Sequence, residues 1–159
     1  MPTLLRHGAD PDGVGTAHPV FEGLSARQLS TMYGYADLPQ SDDPVLRFLG
    51  ECMRGGPVGD PALAETAIRR RPHHLVAAAS DGRTAAVRLM ADLGFPLKGT
   101  DALHEAAHNG HLETVRALIE LGADPDRREP RFHATPRGWA EHNGKRDVAE
   151  YLATVERSR

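Results

Sequence analysis

The chain has 159 residues and a mass of 17.2 kDa, the size of one domain or of a short array of stacked repeats. Its 40% hydrophobic and 26% charged residues exclude wholesale disorder, and a formal charge of −3 leaves no global electrostatic case for nucleic acid or an acidic membrane. Cys52 is the single cysteine, so an internal disulfide is excluded, as is any zinc site that draws two thiolates from one chain. In chain order, residues 4–12 read LLRHGADPD, a helix end followed by a loop. Residues 25–38 (SARQLSTMYGYADL) begin with Ser25, a capping residue, and break at Gly34. Residues 39–43 are expected to be a loop. Asp43-Pro44 and Asp60-Pro61 are each a capping carboxylate followed by proline at a first helical position, which predicts helices over 44–54 and 61–70. Val45, Leu46, Phe48, Leu49, Cys52 and Met53 form the apolar face of the first of these, and Cys52 is expected in the core rather than as a nucleophile. Arg69-Arg70-Arg71 suits a helix C-terminus, where cations complement the dipole.

The second half repeats itself. Around Gly110 stands DALHEAAHNGHLETVRALIELGADPD, residues 101–126; around Gly144, 34 residues on, stands TPRGWAEHNGKRDVAEYLATV, residues 135–155. A third copy, LVAAASDGRTAAVRLMADLGF over residues 75–95, centres on Gly82, and the segment around Gly34 is a fainter fourth. LIELGADPD at 118–126 matches six of nine residues of 4–12. Each copy predicts two short helices. In the best one Asp101 is the expected N-cap, Asn109-Gly110 breaks the run, Leu112, Val115, Leu118 and Ile119 recur at helical spacing, and Gly122 ends the second helix in a left-handed conformation. Thr135-Pro136 is a stronger start of the same kind. Paired alanines such as Ala106-Ala107 let helices approach closely, which explains how a chain with 5% aromatics can build a core.

These residues resemble the ankyrin repeat, a helix–turn–helix unit with a projecting loop and a T-P-L-H-x-A signature. Ala102-Leu103-His104-Glu105-Ala106-Ala107 carries the signature most closely. Thr135-Pro136 with Trp139-Ala140 carries the next copy, in which Arg137 and Gly138 replace Leu-His. In the 72–99 copy His73 stands where a capping Thr is expected. The resemblance implies an all-α solenoid: the end of a truncated repeat at 1–12, a divergent repeat at 13–56, an extra helix at 57–71, a degenerate repeat at 72–99, a repeat at 100–134 and a C-terminal repeat at 135–159. A start in mid-repeat suggests either a truncated or late-started version of a longer array or an edge that contacts something else.

Several motifs offer chemistry. His104-Glu105-Ala106-Ala107-His108 fits H-E-x-x-H, which on a helix places two imidazoles one turn apart for zinc with Glu as general base. A small zinc hydrolase is therefore the enzymatic alternative, although the repeat pattern already accounts for every residue of it except His108. His73, His74, His104, His108, His111, His133 and His142 concentrate in the second half and would allow a weak metal site, but no third functional ligand stands out. Gly13-Val14-Gly15 lacks the third glycine and preceding strand of a dinucleotide loop.

The resemblance implies function on the concave face and loops of the solenoid. The variable positions before each mid-repeat glycine are Ser80 and Asp81, His108 and Asn109, and His142 and Asn143. The longest loop, residues 126–134, carries Arg127, Arg128 and Arg131 as forked donors, Glu129 as an acceptor and Phe132 as an apolar anchor. Trp139 is expected to pack between helices. The predicted function is non-enzymatic recognition of a protein partner through these residues, with no catalytic residue, metal or cofactor, no nucleic acid and no membrane. No apolar stretch approaches the roughly 20 residues of a spanning helix, and residues 1–12 lack the apolar segment of a secretory signal, so a cytoplasmic protein is expected; a monomer is expected as well. A third possibility is a structural capping segment of a larger protein.

Overall fold

The computed structural model describes residues 24–159, so the readings made for residues 1–12 and for Gly13-Val14-Gly15 lie outside the described residues. The chain divides into two compact units, Met1–Ala67 and Ile68–Arg159.

In the first unit the described helices are α1 (Ala26–Met32) and α2 (Pro44–Met53), followed by a short 3-10 turn (Pro61–Leu63) that runs into α3 (Ala64–Arg70) at the unit boundary. The starts are set locally. Ser25 and Gln28 form a reciprocal capping box at α1. At α2 the Asp43 carboxylate accepts from the N–H groups of Val45 (2.9 Å) and Leu46 (3.3 Å), with Pro44 at the first helical position. Asp60 accepts from the Ala62 N–H at 3.0 Å. Residues 39–43 are irregular as predicted. They are pinned by the Ser30 hydroxyl, which donates to the Pro39 carbonyl, and by the Ser41 N–H, which donates to Thr31 Oγ1. The predicted apolar face of α2 is buried, from Val45 through Met53. Helices α1 and α2 touch backbone to backbone. A Cβ at Gly50 would lie 2.1 Å from the Thr31 carbonyl oxygen, so glycine is the only residue that fits this crossing. Arg69 and Arg70 lie in the last turn of α3, as their charge suggests.

The second unit contains three helix pairs: α4 (His74–Ser80) with α5 (Thr84–Asp92), α6 (Ala102–Asn109) with α7 (Leu112–Glu120), and α8 (Pro136–His142) with α9 (Arg146–Arg157). First helices stack α4–α6–α8, second helices stack α5–α7–α9, and each pair packs on itself, giving two layers. The core between them is small-residue rich: Ala78, Ala79, Ala106, Ala107, Ala117 and Ala140 are buried beside Leu75, Val87, Met90, Val115, Leu118, Val148 and Leu152. Each first helix ends in the same way. The N–H of Arg83, His111 or Lys145 donates five residues back to Ala78, Ala106 or Ala140, with Gly82, Gly110 or Gly144 between at positive φ. This is the Schellman closure, which needs a left-handed residue that glycine supplies without a Cβ clash.

One predicted cap is corrected. Asp101 precedes α6, but its side chain makes no capping bond there. Its carboxylate instead pairs with Arg127, and Thr100 Oγ1 accepts from the Ala102 N–H at 3.4 Å. Thr135 does cap α8, accepting from the Gly138 N–H at 3.2 Å ahead of Pro136. Among the described residues no helix is long and apolar enough to cross a membrane.

Candidate functional site

The first-helix layer of the second unit presents the variable positions in register. In α4, α6 and α8 these are Ser80, His108 and His142, followed by Asp81, Asn109 and Asn143. The asparagines link the copies. Asn109 Nδ2 donates to the Glu105 carbonyl (3.0 Å) and to Ser80 Oγ in the preceding repeat (3.2 Å). Asn143 Nδ2 donates to the Trp139 carbonyl (2.8 Å) and to His108 Nδ1 in its preceding repeat (2.9 Å). Ser80 Oγ in turn donates to the Glu105 carboxylate. Asp81 faces Arg83 at 3.4 Å, apart from the others.

The loop 126–134 folds around Glu129, which corrects the expectation that this residue offers its carboxylate outward. Glu129 is only 4% exposed. One oxygen accepts from the Arg131 N–H at 2.6 Å; the other accepts from the N–H groups of Phe132 (2.6 Å) and Ala134 (3.4 Å). Burial alone would push its pKa up, but the three backbone donors outweigh that effect and hold the carboxyl below its usual range. The loop closes through the His133 N–H to the Glu129 carbonyl and through Arg128, which donates to the His133 carbonyl at 2.7 Å. His133 completes the turn in the left-handed region at φ 53°, which few non-glycine residues adopt. Of the three loop arginines, Arg127 is engaged by Asp101. Arg128 and Arg131 are exposed, and the Arg131 guanidinium lies 5.0 Å from the centre of the Phe132 ring.

Phe132 is 65% exposed, far above any other large apolar side chain among the described residues. It forms one wall of a groove of about 590 Å3. Helix α6 contributes His108 to the lining, and α8 contributes Trp139 and His142, with Asn143 just beyond its end. The floor is left open by two small residues, Ala134 and Gly138. Four of the predicted contact residues, His108, Phe132, His142 and Asn143, therefore meet at one groove, while Ser80, Asp81 and Asn109 belong to the next stretch of the same layer.

Trp139 is the residue whose place the sequence pattern hides. It does pack against α6, edge-on to both His104 and His108 with ring centres 5.5 Å apart, but it is only half-buried and lines the groove. A signal does exist in the repeat: an offset of 34 aligns Trp139 with Glu105, a variable position.

The H-E-x-x-H geometry does not assemble a zinc centre. His104 is buried, and its Nε2–H donates to the Ala134 carbonyl at 3.0 Å. Its other nitrogen has no partner. His108 Nδ1 accepts from Asn143, Glu105 accepts from Ser80, and the His111 Nε2–H donates to the Ser80 carbonyl at 2.9 Å. The motif residues hold neighbouring repeats together, and nothing favours the hydrolase alternative. Among the described residues no group of three or more His, Cys, Asp or Glu side chains is placed to hold a metal ion.

A family model described as ankyrin repeats (3 copies) matches the sequence that forms these helix pairs. It matches residues 58–129 and 74–158, together more than half of the chain. This chain belongs to the ankyrin-repeat family. Members of that family generally serve as protein–protein interaction modules and are typically not enzymes.

Proposed function

We propose that this ankyrin-repeat chain recognises a protein partner through the concave face formed by α4, α6 and α8 and through the loop 126–134. Ser80, Asp81, His108, Asn109, Arg128, Arg131, Phe132, His142 and Asn143 are the proposed contact residues. Arg127 and Glu129 act indirectly, because their charged groups hold the loop. The observation that carries the reading is Phe132, a large apolar ring 65% exposed at the rim of a groove floored by small residues and walled by Trp139. Aromatic and arginine side chains around a concavity are the residue types from which interface hot spots are built. On the same reading the α1–α2 pair is a divergent repeat, because Gly34 follows α1 at φ 74° with the Tyr35 N–H donating five residues back to Ser30, as at the three later glycines.

The test is partner capture by cross-linking in the source cells, with wild type beside an Arg128→Ala, Phe132→Ala double variant. Capture is expected to fall while helical content, measured by circular dichroism, stays the same. Unchanged capture by the double variant, and by a second variant carrying His142→Ala with Ser80→Ala, would overturn the proposed face.

A further inference from the structure

We infer that the groove between Phe132 and Trp139 takes a large apolar side chain from an extended protein segment that carries a carboxylate two residues away. This rests on the protein-recognition reading above and gives the partner its chemistry.

The apolar half of the inference comes from the walls. Phe132 and Trp139 face a space of about 590 Å3, within the range of pockets that enclose most of a small ligand. Gly138 adds no side chain to this lining, where the copy before it carries His104. Asn143 and His108 satisfy one another at its edge, so an incoming apolar group leaves neither of those two atoms unpaired.

The acidic half comes from charge. Around this groove the carboxylates are already engaged. Glu129 is turned inward onto three backbone N–H groups, and Glu141 is paired with Arg137 at 2.8 Å, which Glu156 also holds at 3.0 Å. Two of the loop cations are not. Neither Arg128 nor Arg131 has a carboxylate partner among the described residues, and Arg131 sits directly over the Phe132 ring. The rim is therefore cationic beside an apolar slot, although the whole chain is net negative at −3. In an extended segment, side chains two residues apart emerge on the same face about 7 Å from each other. An apolar group against Phe132 thus brings a carboxylate two positions on within reach of the Arg131 fork, where bidentate pairing is available.

The probe is a synthetic array of octapeptides in which Leu, Phe or Trp is followed at the second position by Asp, Lys or Ser, read by fluorescence polarisation with the full chain. Asp is expected to bind about fivefold more tightly than Ser, the scale of an exposed ion pair of up to about 1 kcal/mol, and Lys more weakly than Ser. Arg131→Gln should erase the Asp preference and leave the apolar requirement. Phe132→Ala, which removes an exposed ring and leaves the fold intact, should weaken the Asp peptides about 30-fold, the scale of a hot-spot residue. Trp139→Ala should do the same, with circular dichroism as its folding control.

Binding without an acid preference, an Asp preference that survives Arg131→Gln, or no binding by any peptide would overturn the inference. So would stronger binding of a single-stranded RNA octamer, the alternative ligand for an arginine–aromatic rim. Each of these outcomes leaves the broader reading standing if cross-linked capture still depends on Phe132. Loss of that dependence removes the broader reading as well.

Discussion

His104 and Ala134 join two repeats through one hydrogen bond: the imidazole Nε2–H of α6 donates at 3.0 Å to the carbonyl just ahead of the Thr135 cap of α8. Because the acceptor is a carbonyl, the proton must sit on Nε2. Burial is the largest influence on this ring and holds its pKa below the ordinary imidazole value, against upward pulls from the Ala134 bond and from Asp101 and Glu129. The unfolded chain takes up a proton near pH 6.5 and the folded chain resists it. The stabilisation is therefore complete above about pH 6.5 and declines as the pH falls toward the folded-state value. His104→Gln keeps an N–H donor and removes the titration, so thermal melts between about pH 5 and 8 should show a shallower acid-side loss than wild type. Identical pH profiles for the two proteins would refute this. His104→Ala removes the bond and should cost about 1–3 kcal/mol.

The mid-repeat glycines differ in what they meet. A Cβ at Gly82 would stand 2.5 Å from the His111 ring, itself fixed by the Ser80 carbonyl, whereas a Cβ at Gly144 meets nothing within 4 Å. Both have positive φ, so alanine is strained at either site by about 1–2 kcal/mol. Gly82→Ala adds a steric conflict worth a further 1–3 kcal/mol or so. Urea unfolding should rank Gly144→Ala as the milder variant, and equal midpoints would show that the His111 ring yields freely.

Glu129 organises the loop it belongs to. Glu129→Ala should leave helical content unchanged while speeding amide hydrogen exchange at Arg131, Phe132 and Ala134, the three donors it receives. Glu129→Gln keeps one acceptor oxygen and should fall between. Because the folded carboxyl lies below its ordinary value, the protection it gives is present above about pH 4.3 and is lost as the pH falls through the folded-state value. Unaltered exchange in the alanine variant would mean that the backbone alone sets the loop.

Cys52 is fully buried on α2, and burial, with the nearby Glu51 charge second, pushes its thiol up to about 12. Iodoacetamide at neutral pH should leave it unlabelled in the native protein and modify it once the chain is unfolded in guanidinium. Rapid native labelling would place the thiol at the surface and contradict the packing of α2.

The parts of this structure that are legible in the sequence are those decided within a few residues. Ser25, Asp43, Asp60 and Thr135 cap their helical turns because their side-chain oxygens reach N–H groups two or three positions on. Asp101 has the same local credentials but loses to a partner 26 residues away, Arg127, which no short window contains. Glu129 misleads for a related reason: a charged residue in a charged loop reads as solvated, and only the folded turn shows three N–H groups converging on it. The groove lies between these extremes. Part of its rim, His108, His142 and Asn143, is named by the positions just before the mid-repeat glycines and Phe132 by the longest loop, while Gly138 and Trp139 need the 34-residue offset to be carried across the whole first helix.

The bonds from Asn109 to Ser80 and from Asn143 to His108 span 29 and 35 residues along the chain and lie on the face proposed for recognition. Side chains already ordered before an encounter forfeit little rotamer freedom when a partner arrives, so docking here begins with part of its entropic penalty removed. The same rungs bind the evolution of the face. A new residue at position 108 disturbs Asn143, and one at position 80 disturbs Asn109, so a change of partner must travel through coupled pairs in adjacent repeats rather than through single surface positions.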